Sequence, residues 1–216
     1  MSEATRTRVA IVDDHAMVRE ALAAVLGDDD SIEVVAQGEN TSAAMRIVRE
    51  VRPDVLVLDY NMPGGGALPV LDLIGRSDSG VRALVLTVNE SPHYAIRVIE
   101  GGARGFLVKS SAVEELLDAI GAVRRGEIYI TPSLSREVID QLRRPRGSRT
   151  GIDSLSSREF ELLRLLGSGS GLKEAAAHLN ISVSTASTYR ARVMKKLNLA
   201  TTSALIRYAL ENGLAG

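Results

Sequence analysis

Val55-Leu56-Val57-Leu58-Asp59-Tyr60-Asn61-Met62-Pro63 is the stretch on which the reading of this chain turns. Four apolar residues in a row end abruptly in a carboxylate and then a turn. A strand with one face in water alternates apolar and polar side chains. A continuous apolar run belongs to a strand buried on both faces, as in a parallel sheet. Outward from it, similar runs stand at residues 9–12, 32–36, 81–86 and 106–108, spaced at roughly 20–25 residues. Amphipathic stretches lie between and after them, at 17–26, 42–51, 68–74, 94–99 and 113–123. Five such alternations predict an α/β domain with a doubly wound, five-stranded parallel sheet.

In such a sheet, ligands bind outside the carboxyl ends of the strands. Asp13 and Asp14 follow the first run, Asp59 ends the third, Thr87 the fourth and Lys109 the fifth. Each has an ordinary explanation alone: a turn-forming Asp, a β-branched strand Thr, a solvated Lys. Together on one rim they describe a site for a hard cation with a phosphate-sized anion beside it. Mg²⁺ prefers such oxygen ligands. In that reading Asp14, Asp59 and the backbone carbonyl of Asn61 hold Mg²⁺, with Asp13 acting through water. Asp59 attacks a phosphoryl donor and becomes an aspartyl-phosphate. Lys109 and the Thr87 hydroxyl receive the phosphoryl oxygens. His15 reads as a residue at the start of a helix, and neither His93 nor His178 has ligand-like spacing.

The 216 residues carry 26 basic and 27 acidic side chains, a formal net charge of −1. That balance hides a division. Residues 1–130 hold 13 basic and 20 acidic groups, whereas residues 131–216 hold 13 basic and 7 acidic. The basic part is a candidate for binding a polyanion. There is no cysteine, which excludes disulfides, zinc–thiolate sites and Cys nucleophiles. Neither a leader-like apolar segment nor a run long enough to span a bilayer occurs, so a cytoplasmic protein without a membrane partner is expected.

Residues 143–152 contain one Pro, two Gly and four Arg, and read as an exposed linker preceded by a helix at 133–142. From Ser154 the pattern is helical. Ser156 and Glu159 form a capping box that opens a helix through Leu166, and Gly167 to Gly171 breaks it. A short helix at 172–179, a turn at 180–182 and longer helices at 183–197 and 203–210 follow. Short helix, tight turn and longer basic helix make a helix-turn-helix. The expected divisions are 1–128, a partly helical linker at 129–153, and 154–216.

The helix at 183–197 has Val183, Ala186, Val193 and Leu197 as its buried stripe. Ser182, Ser184, Thr185, Ser187 and Thr188 crowd its start, where hydroxyls and backbone N–H groups can meet phosphates and base edges. Arg190, Arg192, Lys195 and Lys196 follow, with no acidic residue from 181 to 200. A charge run alone is equally a solvated helix face; its position on the second helix of the motif favours double-stranded DNA. With 3% aromatic residues and no Trp, a platform for stacking single strands is disfavoured.

The segments VDDH, LDYNMPG, LTVNE and GARGFLVKSS resemble the signature segments of response-regulator receiver domains. The stretch from LSSREFELLRLL to VMKKLNL resembles a LuxR-type helix-turn-helix. Both together are similar to the NarL/FixJ family of two-component regulators, over roughly residues 8–213. The resemblance implies Asp59 as phosphoacceptor, a sensor histidine kinase as its partner, and Thr87 with Phe106 as switch pair. Phe106 stands where the family often has Tyr, so a switch here depends on packing. GGGALPVL departs from the family's usual acidic-glycine pair, and Ala186-Ser187 stands where Val-Lys is common. In the family the last helix, here 203–210, often pairs output domains on DNA, so a homodimer is expected when phosphorylated or DNA-bound. Within this sequence the helix could equally cap the core of its own domain.

The expectation is a phosphorylation-controlled DNA-binding transcription regulator rather than an enzyme. Two rivals remain at this point. One is a Mg²⁺-dependent phosphohydrolase with an Asp nucleophile; such enzymes commonly carry a DxD pair on the first strand, whereas Asp59 lies on the third. The other is a phospho-switched module whose C-terminal helices bind protein.

Overall fold

The computed structural model describes residues 6–111, 113–145 and 148–214. The chain forms two compact units, one from the residues up to Glu90 with Ala95–Ser135, the other from Ser91–Tyr94 with the residues from Arg136 onward.

In the first unit, strands β1 (Thr7–Val12), β2 (Ile32–Gly38), β3 (Val55–Asp59), β4 (Arg82–Thr87), β5 (Gly105–Val108) and β6 (Tyr129–Ile130) form one sheet in the order β2-β1-β3-β4-β5-β6. All its pairings are parallel. The sheet therefore has six strands, not the five expected. The sixth is two half-buried residues, held by Tyr129 N–H to Arg104 O at 2.9 Å and Thr131 N–H to Phe106 O at 3.0 Å. Two residues are too few to carry a period, so no pattern announces them.

Helices α1 (Ala16–Gly27), α2 (Thr41–Glu50), α3 (Leu68–Arg76), α4 (Pro92–Glu100) and α5 (Val113–Arg124) follow successive strands. Every residue of β3 is buried, which is why its sequence is apolar without alternation. Val9, Ile11, Val57, Leu84 and Leu107 pack with Leu26 of α1 and with Leu116, Ile120 and Val123 of α5 in one core. Gly105 is required by this packing: a Cβ there would lie 2.4 Å from Leu84 Cδ1 and 2.9 Å from Val123 Cγ2. The strand order reverses at β1, which has β2 on one side and β3 on the other. The crevice at such a reversal is where Asp13 and Asp59 emerge.

Helix α6 (Pro132–Leu142) covers the segment where a helix is expected, and a 3₁₀ turn spans Gly151–Ser154. Of the expected linker, Arg146 and Gly147 lie outside the described residues. In the second unit, α7 (Ser157–Gly167) packs against α8 (Leu172–His178), α9 (Val183–Lys196) and α10 (Thr202–Glu211). The capping box forms: Ser156 Oγ accepts from Glu159 N–H, and Glu159 Oε2 accepts from Ser156 N–H at 2.8 Å. Asn180 takes the left-handed conformation (φ 53°) in the turn between α8 and α9. One expectation fails here. Val183 is 47% exposed, whereas Ala186 and Val193 of the same stripe are fully buried. Val183 is the first residue of α9, and side chains lean toward the N-terminus, so it projects over the turn rather than into the core.

Candidate phosphoacceptor site and DNA-binding helix

The sheet brings four of the expected groups onto one rim. Asp13 follows β1, its N–H bonded to Gly38 O at 3.1 Å; Lys109 follows β5, its N–H bonded to Thr87 O at 2.7 Å. The Lys109 ammonium reaches between two strands, donating to Asp13 Oδ2 and standing 2.9 Å from Asp59 Oδ1. The other oxygen of Asp59 accepts the Asn61 N–H at 3.1 Å, and the other oxygen of Asp13 accepts the His15 N–H at 2.9 Å. Asp13 and Asp59 are buried, and Asp14 keeps 30% of its side chain in solvent. Thr87 is buried, with its Oγ1 accepting from Asn89 N–H at 3.1 Å. Phe106 is fully buried in β5.

The electrostatics follow from this crowding. Burial pushes the Asp59 carboxyl up to about 6; Lys109 opposes the rise, and the charges of Asp13 and Asp14 add to it. Burial acts to discharge Lys109, but its two carboxylate partners outweigh it and hold the ammonium above the ordinary lysine range. One lysine is thus divided between two buried acids. Two further features suit a hard cation. Asp13 and Asp14 each offer a carboxylate oxygen, within 4.8 Å of one another and of a His15 ring nitrogen, which is not itself a hard-cation ligand. Asn61 Oδ1 is buried with no hydrogen-bond partner among the described residues.

In the second unit, Ser182 caps α9, accepting from Thr185 N–H at 3.0 Å, and its Oγ lies 2.8 Å from Thr185 Oγ1. Thr188 Oγ1 donates back to Ser184 O at 3.1 Å. Ser182, Ser184, Thr188, Arg192 and Lys195 are exposed, while Thr185, Ser187 and Arg190 are half-buried. Lys196 differs from its neighbours: its Nζ lies 2.6 Å from Glu159 Oε2 and 3.0 Å from Ser154 O.

Residues 9–121 match the family model of the response regulator receiver domain, and residues 153–209 match that of bacterial regulatory proteins, luxR family. The chain is a response regulator of the NarL/FixJ family. It is 36% identical to the oxygen regulatory protein NreC of Staphylococcus epidermidis over 214 residues, covering 96% of this chain and 98% of the relative. It is 30% identical to the response regulator GacA of Pseudomonas aeruginosa over 207 residues, covering 96% and 97%. Among solved structures it is similar to RcsB from Salmonella enterica serovar Typhimurium bound to promoter rprA with the phosphomimetic BeF₃⁻. There the TM-score is 0.73 at 26% identity, covering 94% of this chain and 98% of that one.

Some contacts of this response regulator are not expected from its sequence. His15 Nδ1 lies 2.8 Å from Asp14 Oδ1 and 3.3 Å from Asp13 Oδ1, although the ring is 70% exposed. Adjacency in DDH is the one signal for it. Arg19 Nη1 donates to the carbonyl of Asp13, six residues earlier, at 2.7 Å, and nothing in the pattern marks it. No described helix is long and apolar enough to cross a membrane.

Proposed function

We propose that this response regulator is switched by transfer of a phosphoryl group from a sensor histidine kinase to Asp59 and acts on double-stranded DNA through α9, in the cytoplasm. It is a regulator rather than an enzyme of small-molecule metabolism. The working division is a receiver at 1–128, a linker at 129–153 and a DNA-binding domain at 154–216. The observation that carries this reading is Asp59 itself: a buried carboxylate that shares Lys109 with Asp13.

In the transfer, an ionised oxygen of Asp59 forms the new bond to phosphorus as the bond to the donor's leaving group breaks. Lys109 neutralises a phosphoryl oxygen, and the Thr87 hydroxyl donates to another. The donor set fits Mg²⁺: Asp14, Asp59 and the Asn61 carbonyl would hold it, with Asp13 supporting through water. Bound there, the ion would spread the negative charge of the phosphoryl group. Phosphorylation adds about −1.5 to −2 charges at the rim. Thr87 and Phe106 are the pair through which it acts, Phe106 by packing alone.

On DNA, Ser182, Ser184, Thr185, Ser187 and Thr188 face phosphates and base edges at the start of α9, and Arg190, Arg192 and Lys195 hold the backbone. The exposed Val183 offers an apolar contact to a thymine methyl group. Two copies pair through α10, where Leu210 is 57% exposed, placing their recognition helices about 34 Å apart, one turn of DNA.

The test treats wild type and Asp59→Asn with acetyl phosphate and Mg²⁺ and resolves them on a phosphate-affinity gel. A retarded band is expected for wild type alone. Equal modification of both proteins removes Asp59 from its role.

A further inference from the structure

Lys196 stands in the last turn of α9, two residues before Asn198 ends the segment in a left-handed conformation (φ 54°). A lysine at that place on a recognition helix would ordinarily grip a phosphate. Its ammonium is instead engaged inside the domain, by Glu159 Oε2 at 2.6 Å and the Ser154 carbonyl at 3.0 Å. The Glu159 side chain is only 4% exposed. The same Oε2 accepts the Ser156 N–H at 2.8 Å. A single carboxylate oxygen therefore ties the N-cap of α7 to the C-terminal turn of α9. Burial disfavours the ionised Glu159, but Lys196 and the Ser156 amide overcome it and hold the carboxyl below the usual glutamate range.

Swinging Lys196 out to a phosphate would give up a hydrogen-bonded contact that is desolvated on its Glu159 side and leave Glu159 buried with less compensation. Arg192 and Lys195, exposed like Lys196, face no such exchange, since neither side chain has an internal partner among the described residues. The link spans 37 residues and joins α7 to α9, the helix assigned to DNA.

Building on the DNA reading above, we propose that Lys196 is a positioning residue, which with Glu159 fixes the pose of α9, and not one of the phosphate contacts. The pose of α9 decides how Thr188, Arg192 and Lys195 enter the groove together.

The experiment uses the full chain, a duplex that the wild type enriches from a random-sequence pool, and an unselected duplex of equal length. Binding is followed by fluorescence anisotropy over a series of KCl concentrations. Lys195→Gln should reduce the slope of log affinity against log salt by about one. Lys196→Gln and Glu159→Gln should each weaken the enriched duplex about tenfold with the wild-type slope, leaving the unselected duplex nearly unchanged. The double variant should be no weaker than either single one, and Lys196→Arg should recover most of the loss. A slope reduced by about one in Lys196→Gln overturns the proposal. So does Glu159→Gln binding more tightly with a steeper slope, the result expected if a freed Lys196 reaches phosphate; this variant decides even if Lys196→Gln fails to fold. Failure of the wild type to bind either duplex strikes instead at the DNA reading on which the proposal rests.

Discussion

Asp59 and Glu159 are both buried carboxylates held by a lysine, one in each unit, and their ionisation is displaced in opposite directions. Asp59 is pushed up to about 6, and Glu159 is held below the ordinary range. Proximity of the lysine does not separate them, since Lys109 lies 2.9 Å from Asp59 and Lys196 2.6 Å from Glu159. What differs is the rest of the neighbourhood. Lys109 also serves Asp13, and Asp14 adds a further negative charge; the second partner of Lys196 is a carbonyl rather than a carboxylate. An under-compensated carboxylate is one prepared to receive positive charge or a phosphoryl group. An over-compensated one is structural.

The sharpest way to break the contrast is to remove each lysine. Lys109→Met leaves two buried acids facing one another and should destabilise the first unit by about 3–5 kcal/mol at pH 7. The loss should be smaller at pH 5, where one of the acids can take up a proton. Lys196 is 39% exposed, and Glu159 keeps its bond to the Ser156 amide. Lys196→Met should therefore cost only about 1–2 kcal/mol. Urea unfolding of both variants measures the two losses, and equal values would end the distinction.

Neutralising the acids should give opposite signs. Between the ordinary aspartate value of 3.8 and about 6, the folded chain keeps a proton on Asp59 that the unfolded chain has released. Stability from this group thus falls as pH rises through that window and stays reduced above it. Asp59→Asn should stabilise the magnesium-free protein at pH 7 by about 1–3 kcal/mol, the upper figure being reduced because Lys109 loses a partner. The gain should vanish near pH 4. It should also shrink when Mg²⁺ is added, since a bound cation compensates the ionised form. Glu159 has the reverse dependence: its contribution is present above the ordinary glutamate range and lost as pH falls through its lowered value. Glu159→Gln should cost about 1–2 kcal/mol at pH 7. Unfolding curves from pH 4 to 7, with and without Mg²⁺, separate the two patterns.

The Asp59 side of this contrast is legible in the sequence, and the Glu159 side only in part. A polar residue breaking an apolar run at a strand end marks itself, so Asp59, Thr87 and Lys109 stand out from the pattern of residues alone. Strand β6 does not, because two half-buried residues have no period. Spacing puts Val183 in the buried stripe, yet a stripe position in the first turn of a helix has nothing above it to pack against. Glu159 reads as half of a capping box, and Lys196 as the end of a basic run. Two separate local motifs explain each residue fully, so nothing in the sequence demands the contact between them. Gly64, Gly65 and Gly66 form a different case. All three have positive φ, and a Cβ on Gly66 would stand 2.5 Å from the Tyr60 carbonyl oxygen. The departure from the family's usual pair is thus a run of glycines occupying left-handed positions, which only the backbone reveals.

The smallest expected effect tests how Glu159 is held. Ser156 contributes to the capping box twice, and the two contributions are unequal. Its Oγ accepts from the Glu159 N–H at 3.4 Å, a long bond, whereas its own N–H donates to Glu159 Oε2 at 2.8 Å. Ser156→Ala removes only the first. Loss of an N-cap side chain ordinarily costs about 0.5–2 kcal/mol, and the length of this bond places the expected loss near 0.5. The backbone amide remains, so the carboxylate should keep both its depressed ionisation and its grip on Lys196. Ser156→Ala should then melt slightly earlier while binding the enriched duplex as wild type does. A loss of binding equal to that of Glu159→Gln would mean that the serine hydroxyl, rather than the backbone amide, holds the carboxylate in place to reach α9.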